Sequence, residues 1–307
     1  MAGDHPRPSN PIPTGDHVRW RGRPGRTGGV LLVAFEGWSD AGDAASTAVR
    51  YLTDQWELEP FADIDPEIFY DFSVTRPRVE LDDDLQRQIV WPELTFSSGQ
   101  VAFGEIDGLR GGGPAATLIG AEPQLRWRTF AAQVVEVATA CEVELAVTVG
   151  ALLADVSHAQ PVSVIGTAYD PDVVEQLGLT HSSYEGPTGI LGVLHDALGR
   201  AGLPSASFWA AVPSYVPGAP SPKAQLALIE RLADLLGVGL MTTDLEIASA
   251  SYERQITELV EADDDTAAYV RGLGAGLRPR RDPATGHRAP AAVAHVRGAG
   301  GRGGHGV

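Results

Sequence analysis

The chain has 307 residues, with 23 Lys and Arg against 40 Asp and Glu, a net charge of −17. That length suffices for a sizeable core, and the acidic balance argues against nucleic acid or an anionic membrane as a partner. A single cysteine, Cys141, excludes an internal disulfide and fits a reducing compartment.

Residues 1–28 and 278–307 are rich in Pro, Gly and Arg, a composition that predicts disordered tails around a folded body at 29–277. The tails hold five and six Arg, so the acid is concentrated between them. The start, MAGDHPRPSNPIP, lacks the apolar stretch of a signal peptide. No apolar run approaches the ~18 residues that span a bilayer. A cytoplasmic protein is expected.

Within the body, "VLLVAF" (30–35) reads as a strand buried on both faces. "AASTAVRYLTDQW" (44–56) reads as a helix and "EIFYDF" (67–72) as a second strand. "RQIVWPELTF" (87–96) predicts a strand pair or edge element, since Pro92 cannot sit in a central strand. "AATLIG" (115–120) is the next buried strand. A helix at 124–141 follows from the spacing of Leu125, Phe130, Val134 and Val137. Strands are predicted at 144–150 and 162–168, a helix at 189–202 and a strand at 206–212. Ser221 and Pro222 open a helix at 221–237 as cap and first residue. A long acidic amphipathic helix covers 242–262. This alternation predicts a three-layer α/β/α sandwich with a mostly parallel sheet, plus C-terminal helices.

Ligands of open α/β sheets sit beyond the C-terminal strand ends. The first strand ends in "EGWSDAG", with Glu36, Gly37, Trp38 and Asp40. Gly37 and Gly42 have P-loop-like spacing, but the Lys-Ser/Thr is missing and three carboxylates would meet a phosphate. Nucleotide-phosphate binding is rejected, and no cofactor is expected. Two readings of the turn stand: Asp40 or Ser39 caps the helix, or a carboxylate serves as base or metal ligand. No second His lies close enough for a metal pair. Asp155 and His158 are the candidate catalytic pair, three apart in a post-strand loop, where a carboxylate can orient an imidazole. The alternative is a loop histidine that caps a turn. Glu122, Arg126, Tyr184, Gly186, Thr188 and Tyr215 complete the candidate cleft. For Arg126 the alternatives are anion binding or an ion pair within the fold.

"FEGWSDAGDAA", "RPRVELDD" with "IVWPEL", "GAEPQLRWRTF", "GALLADVSHAQPV", "YEGPTGILGVL" and "FWAAVPSYVPGAPSPKAQLALIERL" run in order across about 30–240. Together they resemble the bacterial branch of the proteasome assembly chaperone family. The resemblance implies a three-layer sandwich like that of purine nucleoside phosphorylases and related hydrolases. It also implies binding rather than turnover, with proteasome α subunits and other copies of the same chain as partners. Chaperones of the family often end in a hydrophobic–Tyr–any tripeptide. This sequence ends His305, Gly306, Val307, so docking by such a tail is not expected. The competing expectation is a small-molecule hydrolase or transferase of the same fold. It requires Glu36, Asp40, Asp155, His158 and Tyr215 to converge on an enclosed pocket.

Overall fold

The computed structural model describes residues 17–22, 29–82, 84–101, 113–182 and 184–275. The apolar runs become the centre of a nine-stranded sheet. Its order is β1 (Val18–Trp20), β3 (Glu59–Ile64), β6 (Leu94–Val101), β7 (Gly113–Ala121), β2 (Gly29–Glu36), β8 (Val143–Ala154), β11 (Ser205–Pro213), β9 (Val164–Ala168) and β10 (Thr180–His181). The central four, β7-β2-β8-β11, are mutually parallel. On one flank β6, β3 and β1 pair antiparallel, and on the other β9 runs antiparallel to β11. The sheet is therefore parallel at its centre and mixed at its edges. A separate hairpin joins β4 (Arg78–Leu81) to β5 (Arg87–Val90).

Helices cover both faces of the centre. α1 (Ala44–Gln55), α3 (Pro171–Leu177) and α5 (Pro222–Leu236) lie on one face, where Leu32, Val147, Phe208 and Leu228 are fully buried. α2 (Trp127–Ala140) and α4 (Ile190–Arg200) lie on the other, over Leu31, Phe35, Phe96 and Leu118. Burial on both sides explains why β2 shows no hydrophobic alternation. The α/β/α expectation holds. α6 (Thr243–Glu261) and α7 (Asp264–Ala275) add a smaller apolar cluster of Tyr252, Ile256, Val260 and Ala267, packed against Tyr215 and Val216. Ser221 Oγ accepts the Ala224 N–H at 3.3 Å, and α5 closes at Gly237 with φ +61°.

Two expectations change. "EIFYDF" is not a strand: Pro66–Ile68 is a single 3₁₀ turn, with the Asp65 side chain accepting the Glu67 N–H. Its aromatics plug the end of the sheet. Phe69 is fully buried, and the Tyr70 hydroxyl donates to the Ala121 carbonyl at 2.6 Å. Val18–Trp20, within the stretch expected to be disordered, is a strand held to β3. Val18 sits in the core, and Arg21 grips the Asp63 carboxylate through two nitrogens at 2.5 and 2.9 Å. The rest of the 1–28 expectation falls largely, and the 278–307 expectation wholly, outside the described residues. No described helix is long and apolar enough to cross a membrane.

Candidate functional site

The parallel strands bring their C-terminal ends to one edge, and the predicted residues divide there into two groups. The first lies where β2 and β7 meet the start of α4. Gly37, at φ +116°, turns the chain out of β2 in a conformation that favours glycine. Glu36 pairs with Arg50 at 2.9 Å on the surface. Asp40 is only 4% exposed, and its Oδ1 accepts the Ala45 and Ser46 N–H groups at 2.6 and 3.1 Å. It caps the start of α1. Burial raises its pKa against the pull of those bonds.

Glu122 faces Trp38 across the turn. Its Oε2 accepts the Trp38 N–H at 3.3 Å, and its carboxylate also takes the Ile190 N–H that opens α4. Partial burial raises its pKa, opposed by both bonds. The Trp38 indole lies on the bare backbone of Gly189, where a Cβ would meet it at 3.3 Å. Trp127 anchors its Nε1–H on the Pro123 carbonyl at 2.6 Å. Trp38, Glu122, Pro123, Trp127, Pro187 and Thr188 thus frame a groove of about 380 Å³. Tyr184 lies outside it, its hydroxyl donating to the Pro187 carbonyl at 2.8 Å, and Gly186 leaves room for that hydroxyl. Arg126 is exposed at the cap of α2, at φ +52°.

The second group gathers where β8 and β11 end, under α6 and α7. His158 is 5% exposed. The Tyr215 hydroxyl accepts its backbone N–H at 2.8 Å and lies 2.7 Å from its Nδ1, while its Nε2 lies 3.0 Å from Thr257 Oγ1. Burial lowers the pKa of this imidazole. Asp155 accepts from Ser214 Oγ at 3.0 Å and from the Tyr269 hydroxyl at 2.8 Å. The chain's single Lys, Lys223, donates to the His158 carbonyl at 2.6 Å and to Glu253 at 2.7 Å. Asp155 and His158 therefore bond to different partners, and both tie the strand ends to the last two helices. Glu36 and Asp40 are engaged elsewhere, so the five residues of the hydrolase expectation do not share a pocket.

Sequence reasoning missed Gln124 and Pro187 of the groove, and Lys223, Glu253, Thr257 and Tyr269 of the second group. It also missed a buried chain on the α4 face. His195 Nε2 lies 2.9 Å from Thr148 Oγ1 and its Nδ1 lies 2.9 Å from Ser205 Oγ, with Thr148 bonded on to Ser207 at 2.8 Å. Strict strand alternation was the available signal, since Thr148, Ser205 and Ser207 all point to that face. Among the described residues no group of three or more His, Cys, Asp or Glu is placed to hold a metal.

The sequence profile of the PAC2 family matches residues 34–260. The chain belongs to the PAC2 family. It is similar to the crystal structure of a PAC2 family protein from Streptomyces avermitilis, 42% identical, with a TM-score of 0.70 over 79% of this chain and 99% of that one. It is likewise similar to a proteasome-assembly chaperone homologue of Mycobacterium tuberculosis, 41% identical, with a TM-score of 0.67 over 78% and 99%. An archaeal proteasome activator from Pyrococcus furiosus, 13% identical over 79% and 97% of the two chains, shares the fold with a TM-score of 0.61. No curated protein matches the chain.

The PAC2 match begins inside β2 and ends in the last turn of α6. It therefore spans both the groove and the contacts that bind α6 to the strand ends. In this PAC2 chain the acidic turn "EGWSDAG" starts a helix, through Asp40, and builds one groove wall, through Trp38.

Proposed function

We propose that this PAC2 chain is a non-enzymatic, cytoplasmic protein of the proteasome assembly chaperone kind, which binds proteasome α subunits and self-associates. The relative from Mycobacterium tuberculosis, a proteasome-assembly chaperone homologue at 41% identity, supports the assembly role. The observation that carries it against the hydrolase reading is the engagement of the candidate catalytic groups. His158 spends its backbone N–H, its carbonyl and both ring nitrogens on Tyr215, Lys223 and Thr257. Asp155 accepts from Ser214 and Tyr269, not from the imidazole. A general base needs a free lone pair within reach of a substrate proton. These groups fasten helices instead.

Native mass spectrometry of the purified protein, alone and mixed with the 20S α subunits of its host, tests the proposal. A homo-oligomer alone and a defined complex with α subunits, free or in a partial ring, are expected. A homo-oligomer that ignores the subunits and carries a co-purified small molecule would overturn it.

A further inference from the structure

The β4–β5 hairpin stands outside the main sheet. Every residue of β4 is exposed, as are Arg87, Gln88 and Ile89 of β5. By alternation and register Val79, Leu81 and Ile89 share one face, and they are 52%, 60% and 60% exposed. A two-stranded hairpin is marginal in water and needs further strands or a packed face. Its turn is nevertheless firmly built. Asp82 Oδ1 accepts the Asp84 and Gln86 N–H groups at 3.0 and 2.8 Å, and its Oδ2 accepts from Gln88 Nε2 at 2.9 Å.

The outer edge of β4 is open. The Asp82 N–H donates to the Gln86 carbonyl at 3.0 Å, so Asp82, and with it Glu80 and Arg78, turns its main-chain groups towards β5. Val79 and Leu81 turn theirs outward, where they make no hydrogen bond among the described residues. The flanking charges are loosely held: Arg78 and Glu80 are 80% and 57% exposed and approach each other only to 4.0 Å.

This edge is complementary to itself. When two β4 strands meet antiparallel with Val79 opposite Val79, Arg78 of each copy faces Glu80 of the other. Only even shifts from that register keep the outward main-chain groups face to face. A shift one way sets Arg78 against Arg78. A shift the other way sets Glu80 against Glu80, and a further one sets Glu80 against Asp82. Like charges directly opposite destabilise a pair, so one register stands out. β5 carries Arg87 and no acid, and its edge offers a second copy no such match. The hairpin also escapes the general repulsion between two chains of net charge −17, since residues 76–90 hold three Arg against four acids.

We propose that two copies of this chain join through β4, edge to edge about a two-fold axis at Val79, with reciprocal Arg78–Glu80 pairs. The product is a four-stranded sheet, β5-β4-β4-β5, in which Val79, Leu81 and Ile89 of both copies form one continuous apolar face, enough strands for independent stability. The pairing rests on the self-association proposed above and gives it a surface.

Sedimentation velocity of the full chain over a range of concentrations tests it. Arg78→Glu and Glu80→Arg should each weaken association by about tenfold or more, because each sets two like-charged pairs in the interface. An equimolar mixture of the two variants should recover it, since every altered charge then faces an opposite one. Both side chains are exposed, so the melting temperature of the monomer should not move. Mild oxidation of Val79→Cys should give a covalent dimer, as paired residues there lie about 5.5 Å apart, within the span of a disulfide; Cys141 is buried and does not compete. Association untouched by either charge change would overturn the pairing and leave self-association to another surface. Loss in both variants without recovery in the mixture would overturn the register. An unaltered chain that stays monomeric at every concentration would remove the self-association reading itself, and the pairing with it.

Discussion

His195 is 5% exposed and held between Thr148 and Ser205, with the Tyr169 ring edge-on at 5.6 Å. Burial lowers its pKa to about 4, against about 6.5 in an unfolded chain. As pH falls from about 6.5 towards 4, the unfolded chain takes up this proton and the folded one does not. Stability present above pH 6.5 is therefore lost across that window, by up to about 3 kcal/mol. His195→Gln keeps an amide in the network and cannot protonate. Melting curves of the two proteins between pH 7 and 4.5 share every other acidic group, so the unaltered protein should lose stability more steeply. Parallel curves would refute the argument. The same scale shows where residue spacing misleads. Asp155 and His158 are three apart and look paired, yet their partners lie 57 to 114 positions away. A loop's side chains bond to whatever packs over them, and local spacing does not contain that.

Elements were legible where burial is uniform. The runs at 30–35, 115–120, 144–150 and 206–212 all became strands because helices cover both their faces. Segments whose burial depends on distant neighbours were not. β1 is three residues long and exists through its pairing with β3; the aromatics of 67–72 close the sheet end as a turn. α6 was legible from its periodicity, but its attachment was not. Lys223, 15% exposed, joins α5, the His158 loop and α6 through two charge-assisted bonds. Lys223→Met keeps the aliphatic stem and removes both. The cost should be about 1.5–3 kcal/mol, concentrated in α6 and α7, since the sheet has its own core. Hydrogen exchange should quicken in 243–275 and leave β2 and β8 unchanged. Uniform quickening across the sheet would mean that α6 unfolds only with the whole body.

At the scale of the molecule, composition and alternation gave the layers but not the order of strands. Which strands lie side by side depends on contacts across long sequence separations, such as β6 inserting antiparallel between β3 and β7. The boundary of the body was misplaced for the same reason. Its Pro, Gly and Arg content made 1–28 look uniform, whereas Val18 is 6% exposed in the core. Two truncations separate the segment before β1 from β1 itself. A chain starting at His17 keeps Val18, the Arg19 contact with Asp65 and the Arg21 pair with Asp63. One starting at Gly22 loses them and bares the β3 edge. Burial of Val18 contributes about 1.5–2 kcal/mol, the exposed ion pairs add little, and each kcal/mol is worth about 2–4 °C in a domain of this size. The longer truncation should therefore melt about 3–8 °C lower than the shorter one. It should also self-associate more readily, because an uncovered strand edge is a template for pairing. Equal melting temperatures would mean that β1 contributes nothing to the core it borders.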